Sequence, residues 1–192
     1  MKIHKYSLVK KSVDNNKNNK NIDLGKIFNQ LECKNLQLNE GVKMIEFITI
    51  SSYTEFKGNI SSENLIDFLY QHLDKFGDTK EAISECLDYA MSDEKARGGY
   101  VILAIDTERI VGAVIMIRTG MKYYIPEYFL VYIAVHHDFR NQGLGGKLVS
   151  RVFELTEGDI ALHVEYENPA KRLYERMGFK SKYAEMRYHK EE

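Results

Sequence analysis

Cysteine is scarce in this chain, an excess of either charge is missing, and no hydrophobic run is long. Each absence removes a class of protein. The two cysteines, Cys33 and Cys86, form neither a CxxC pair nor a metal-type spacing. That argues against a disulfide framework or zinc knuckle and fits a reducing cytoplasm. A formal net charge of −1 leaves no basic field to gather nucleic acid. No apolar run approaches the ~20 residues that span a bilayer, and the Met1 end lacks the charged-then-apolar pattern of a secretory signal. His136-His137 has the look of a metal pair, but adjacent residues of a strand point to opposite faces. No further His, Cys or Asp set stands at ligand spacing, so no metal is expected. No repeat is evident. These exclusions leave a soluble, intracellular protein of 192 residues whose 44% apolar content can fill one core.

The chain divides into an N-terminal extension, residues 1–43, and a domain, residues 44–192. Val13 to Asn21 is almost all Asn, Lys, Asp and Ser, too polar to bury, and is expected to be a surface loop. After Asp23, Leu24, Ile27, Phe28 and Leu31 recur at i, i+3, i+4 and i+7, which predicts a short capped helix. Its expected use is to pack onto the domain or onto a partner subunit in a homodimer.

From Met44 the elements alternate. Met44 to Ile50 is strand-like; Leu65, Phe68, Leu69 and Leu73 mark one helix, and Ile83, Cys86, Leu87 and Ala90 another. Asp78-Thr79-Lys80-Glu81 resembles a capping box with Asp78 at the cap. Tyr100 to Ile105 and Ile110 to Ile117 read as a hairpin about Asp106-Thr107-Glu108-Arg109. Phe129 to Val135 follows as a strand, then a helix with Leu144, Leu148, Val149 and Val152 on its apolar face. A strand at Ile160 to Val164, a helix at Ala170 to Met177 and a last strand at Tyr183 to Tyr188 complete the order. The fold class is mixed α/β (α+β) with local strand pairing.

The segment that says most is Arg140-Asn141-Gln142-Gly143-Leu144-Gly145-Gly146-Lys147, between an apolar strand and a helix. The first amides of a helix have no intrahelical partner and sit at the positive end of its dipole, so an anion there satisfies both. Gly143, Gly145 and Gly146 remove the Cβ atoms that would hold a diphosphate away, and Arg140 and Lys147 add mobile positive charge. A dinucleotide fingerprint would need glycine where Leu148 stands, and a Walker loop would need Ser or Thr after Lys147. On glycines alone, a turn serving only chain reversal stays open.

Arg140-x-x-Gly143-x-Gly145, preceded by Val131-Tyr132-Ile133-Ala134-Val135, resembles the R/Q-x-x-G-x-G/A signature of the GNAT acetyltransferase superfamily. Downstream, Leu162-His163-Val164, Asn168 and Leu173-Tyr174-Glu175-Arg176-Met177-Gly178-Phe179 resemble that family's strand, Asn and LYE-x-x-GF helix. The resemblance implies a mostly antiparallel central sheet, splayed between its fourth and fifth core strands. It further implies acetyl-CoA as cosubstrate. The pantetheine arm would lie along the main chain of Ile133, Ala134 and Val135, an amide of which would stabilise the oxyanion, and the pyrophosphate would lie on the amides from Gln142 to Lys147. Asn168 would bond the pantetheine, although the stretch from Asn168 to Tyr174 is one residue shorter than the commonest family spacing. Tyr174 would protonate the departing thiolate.

For the base, Glu165 and His163 are ranked ahead of Glu127; the two lie two residues apart and would face one side of a strand. Ordered water and backbone carbonyls are the alternative. Tyr123, Tyr124, Tyr128 and Tyr132 either line an acceptor pocket or belong to the core. Two functions from different classes follow: an N-acetyltransferase acting on a small-molecule or peptide amine, or a non-catalytic acyl-CoA-binding module.

Overall fold

The computed structural model describes residues 45–94 and 97–190. The polar loop and the helix expected within residues 1–43 lie outside these. Among the described residues of the unit Met44–Glu192, the strands and α-helices are β1 (Glu46–Ile50), α1 (Ser62–His72), α2 (Lys80–Ala90), β2 (Gly99–Asp106), β3 (Arg109–Arg118), β4 (Tyr128–Val135), α3 (Leu144–Leu155), β5 (Ile160–Leu162) and α4 (Ala170–Arg176). The five strands form one sheet in the order β1-β2-β3-β4-β5. The first four pair antiparallel and β5 pairs parallel to β4.

Both faces of the sheet are covered, which is why β2 and β3 read as unbroken apolar runs. Val101, Leu103, Ile105, Ala113 and Ile115 pack with Leu65, Phe68 and Leu69 of α1 and Ile83 and Leu87 of α2. Ile102, Ala104, Val111, Val114 and Met116 pack on the other face with Leu144, Leu148 and Val152 of α3. The expected hairpin forms with Asp106 paired to Arg109. Its two loop residues, Thr107 (φ 49°) and Glu108 (φ 65°), are both left-handed, as a two-residue turn matching the strand twist requires.

Helix α1 is capped by Ser61, whose Oγ accepts from Asn64 N–H. The cap of α2 corrects the expectation: it is Thr79, accepting from Ala82 N–H, whereas Asp78 lies one residue outside and accepts the Tyr132 hydroxyl at 2.7 Å.

β4 positions the site. Ile115 pairs with Tyr132 but Met116 pairs with Leu130, so Val131 is an extra residue, a bulge. Burial records the same slip: Val131 and Tyr132 both lie against the α1 and α2 face, while Leu130, Ile133 and Val135 lie against the α3 face. A bulge sharpens local twist and turns the strand aside. At that point β5 departs, its last pair being Leu130 with Leu162. The sheet is therefore splayed between its fourth and fifth strands.

Two expectations are corrected at the C-terminal end. The strand expected at residues 160–164 stops at Leu162, and residues 183–188 form no strand. Tyr183, Met186 and Tyr188 are exposed; alternation marks what can become a strand, but among the described residues no face buries these side chains.

Candidate active site

The glycine loop is built by two left-handed residues, Asn141 (φ 60°) and Gly143 (φ 81°), the second serving as N-cap of α3 without a side-chain hydrogen bond. The first intrahelical bond runs from Lys147 N–H to Gly143 C=O. The amides without helical partners are therefore those of Gly143, Leu144, Gly145 and Gly146; the amide of Lys147, expected in the cradle, belongs to the helix. A Cβ on Gly145 would lie 3.1 Å from Leu173 Cδ2 and 3.9 Å from Val135 Cγ2. The missing side chain thus lets α4 lie across the start of α3.

Arg140 departs from expectation more strongly. Its Nε donates to Val135 C=O at 3.0 Å, Nη1 to Asp74 Oδ2 at 2.9 Å and Nη2 to His72 C=O at 2.7 Å. Its charge is fixed rather than mobile, and it ties the loop to the end of α1 and the end of β4.

Among the described residues the edge of β4 beyond Leu130 is free, and it faces the gap. His136 N–H donates to Val111 C=O in β3, so the Val135 carbonyl, on the other side of a trans peptide, points away from β3. Main-chain groups alternate sides along a strand. Those of Ile133 and the Val135 N–H therefore face the gap, and those of Ala134 face β3. Of the three residues expected to offer backbone, Ala134 is turned the wrong way.

Tyr174 is buried at 6% exposure on α4, with its ring 5.8 Å from Phe179. Burial pushes its phenol up to about 12, so it holds its proton at neutral pH. Asn168 Oδ1 accepts from Ala170 N–H at 2.9 Å, orienting the amide at the start of α4. A surface hollow of about 500 Å³ opens here, lined by Tyr166, Glu167, Asn168, Pro169, Lys171, Arg172 and Glu175.

The base candidates separate. His163 and Glu165 lie beyond β5 and are exposed, so strand alternation does not place them together. His163 packs its ring on Phe129 at 4.7 Å, and its Nδ1 lies 3.9 Å from Glu185 Oε2. Glu127 accepts from Asp159 N–H at 3.0 Å, and bonds from backbone amides hold its carboxyl below the usual range, which suits a structural carboxylate better than a base. The tyrosines divide as well. Tyr132 is buried and bonded to Asp78, Tyr128 is half-buried beside Tyr100, and Tyr123 and Tyr124 are exposed.

One cluster was not legible in the sequence. β4 ends at Val135, so His136 and His137 do not alternate across a strand; His136 caps a single 3₁₀ turn that begins with His137. Their rings stack at 4.2 Å, and His72 from the end of α1 meets His136 at 4.5 Å. His72 is far upstream and no local pattern links it to the pair. Burial, with the neighbouring His136, Arg140 and His137 charges, pushes its imidazole down to about 4.

Residues 97–181 match the family model described as the acetyltransferase (GNAT) domain. Among curated proteins none matches the chain. Solved structures share its fold. A ribosomal-protein-alanine N-acetyltransferase from Brucella melitensis biovar Abortus 2308 is 15% identical with a TM-score of 0.53, over 76% of this chain and 99% of that one. An aminoglycoside acetyltransferase from an uncultured soil metagenomic sample, solved with sisomicin, is 14% identical with a TM-score of 0.53, over 77% and 97%. A structure described as a transcriptional regulator from Bacillus halodurans C-125 is 19% identical with a TM-score of 0.53, over 76% and 99%. Such identities speak for the fold alone, and those different descriptions on one fold agree with that. The family match identifies residues 97–181 as a GNAT acetyltransferase domain, and the fold of the described residues agrees with it.

Proposed function

We propose that the chain is an acetyl-CoA-dependent N-acetyltransferase that moves the acetyl group from the thioester to a primary amine by direct attack. The observation that carries this reading is the meeting of three features at one end of the sheet. They are the β4 edge beyond the Val131 bulge and the amides of Gly143 to Gly146, both without partners among the described residues, and α4 with Tyr174, which Leu173 holds against Gly145. The amides would take the diphosphate, with Asn141, Gln142 and Lys147 at its rim, while Arg140 holds the loop in shape. The Ile133 and Val135 main chain would pair the pantetheine, assisted by Asn168. A gap-facing N–H of that edge stabilises the oxyanion as the amine nitrogen bonds to the carbonyl carbon. When the carbon–sulfur bond breaks, Tyr174 gives its proton to the thiolate, and the amine proton leaves to water or to one of the exposed groups, Glu165 or His163.

The acceptor is a small-molecule or peptide amine. The test is release of coenzyme thiol, with mass detection of the acetylated product, across panels containing polyamines, aminoglycosides and peptides with free N-termini. Turnover with one amine class is expected; saturable acetyl-CoA binding without turnover of any amine would favour the non-catalytic acyl-CoA-binding module instead.

A further inference from the structure

His72, His136 and His137 come from the end of α1, the end of β4 and the turn that leads into the glycine loop. Each offers a ring nitrogen, and these three atoms lie within 4.8 Å of one another. We propose that these three imidazoles form a binding site for a borderline divalent transition-metal ion, with Zn²⁺ as its reference occupant.

Imidazole nitrogen is the donor such ions prefer, and three histidines with an open fourth position is a recurrent zinc donor set. Nitrogens bound at about 2.0–2.1 Å in tetrahedral geometry lie about 3.3 Å apart, so the widest pair must close by about 1.5 Å. The means to close are present: the His137 side chain is 63% exposed, which leaves it room to change rotamer, while His136 is 13% exposed and His72 is buried. The two inner ligands are thus held and the outer one swings in from solvent, which also supplies the route of entry.

Metal-bound imidazoles commonly give their other N–H to a carboxylate. Asp138 stands in that role, with Oδ2 at 3.8 Å from His136 Nδ1 and Oδ1 at 3.1 Å from His137 Nε2. His136 Nδ1 also lies 3.3 Å from Asp138 N–H, from which it accepts. Ligation through Nε2 would move the ring proton to Nδ1 and exchange that bond for one to the carboxylate. Arg140 is one opposing charge, acting on His72 and His136, and it is met by Asp74 at 2.9 Å. Arg109 faces the cluster from β3 and lies over the Phe139 ring. The site neither overlaps the diphosphate amides nor rests on the acetyltransferase reading.

The test uses the untagged full chain, stripped with chelator and titrated with ZnCl₂ by calorimetry, followed by zinc-edge X-ray absorption of the 1:1 complex. One saturable site per chain is expected, with three imidazole nitrogens in the absorption fit. His137→Ala, a substitution at an exposed position, should weaken binding at least about tenfold, while His189→Ala in the C-terminal tail should leave the titration unchanged. Absence of saturable binding, equal affinity for His137→Ala and the parent, or an absorption spectrum without histidine scattering would each overturn the site. The absorption result stands on the unmodified protein and does not depend on how any variant folds.

Discussion

At the scale of single residues, the proposed mechanism assigns most of the chemistry to Tyr174. A tyrosine on an amphipathic helix is ordinarily core, and its burial against Phe179 fits that reading as well. Function would show only when the hydroxyl is removed while the ring stays. Tyr174→Phe is expected to lower kcat on the order of tens-fold with acetyl-CoA affinity nearly unchanged; equal losses in both would make the residue a binding group instead. The raised phenol pKa of about 12 also fixes a sign for stability. The unfolded chain ionises this group near roughly pH 10, so the stabilisation from the neutral buried phenol is whole below that pH and is lost between about 10 and 12. Cys86, pushed from 9.0 up to about 12 by burial, begins to lose its share lower, from about pH 9 upward. Denaturant midpoints measured from pH 8 to 11 should fall less steeply for Tyr174→Phe than for the parent. Parallel slopes would mean that the phenol ionises alike in the folded and unfolded chains.

Single residues misread from sequence fall into two kinds. Asp78 and Thr79 are both good cap formers, and only the Tyr132 hydroxyl decides which one is used elsewhere. Arg140 reads as a free cation beside glycines, yet its three partners come from residues that only the fold brings near.

At the scale of elements, period and punctuation were legible wherever local sequence decides the outcome. The β2–β3 hairpin and helices α1, α2 and α3 appear where apolar spacing put them, and the glycine loop opens α3 as its spacing indicates. The Val131 bulge was not legible, because Val131-Tyr132-Ile133 are all good strand formers and the slip shows only in the pairing with β3. The missing strand at residues 183–188 has a related cause: a strand needs an edge to pair with, and β5 offers three residues of ladder. The start of α3 gives the sharpest prediction at this scale. Gly145→Glu puts a Cβ 3.1 Å from Leu173 Cδ2 and a carboxylate beside the amides proposed to hold the diphosphate. It should abolish the rise in melting temperature that acetyl-CoA is expected to give the parent protein. An unchanged rise would remove the cradle from the account.

For the whole molecule, the family was legible because two motifs stand in order, one helix and one strand apart, and each depends on main-chain geometry that glycines and a short helix enforce. The acceptor was not legible: the parts that recognise a coenzyme are shared by proteins acting on different amines, and the tyrosines before and within β4 divide between surface and core. Among the described residues no helix is long and apolar enough to cross a membrane.

The most direct measurement is a crystal structure of the full chain with coenzyme A. The account predicts the diphosphate on the amides of Gly143 to Gly146, the pantetheine paired with the Ile133 and Val135 main chain inside the splay, and the sulfur facing the Tyr174 hydroxyl. Coenzyme seated away from that loop and strand would contradict it.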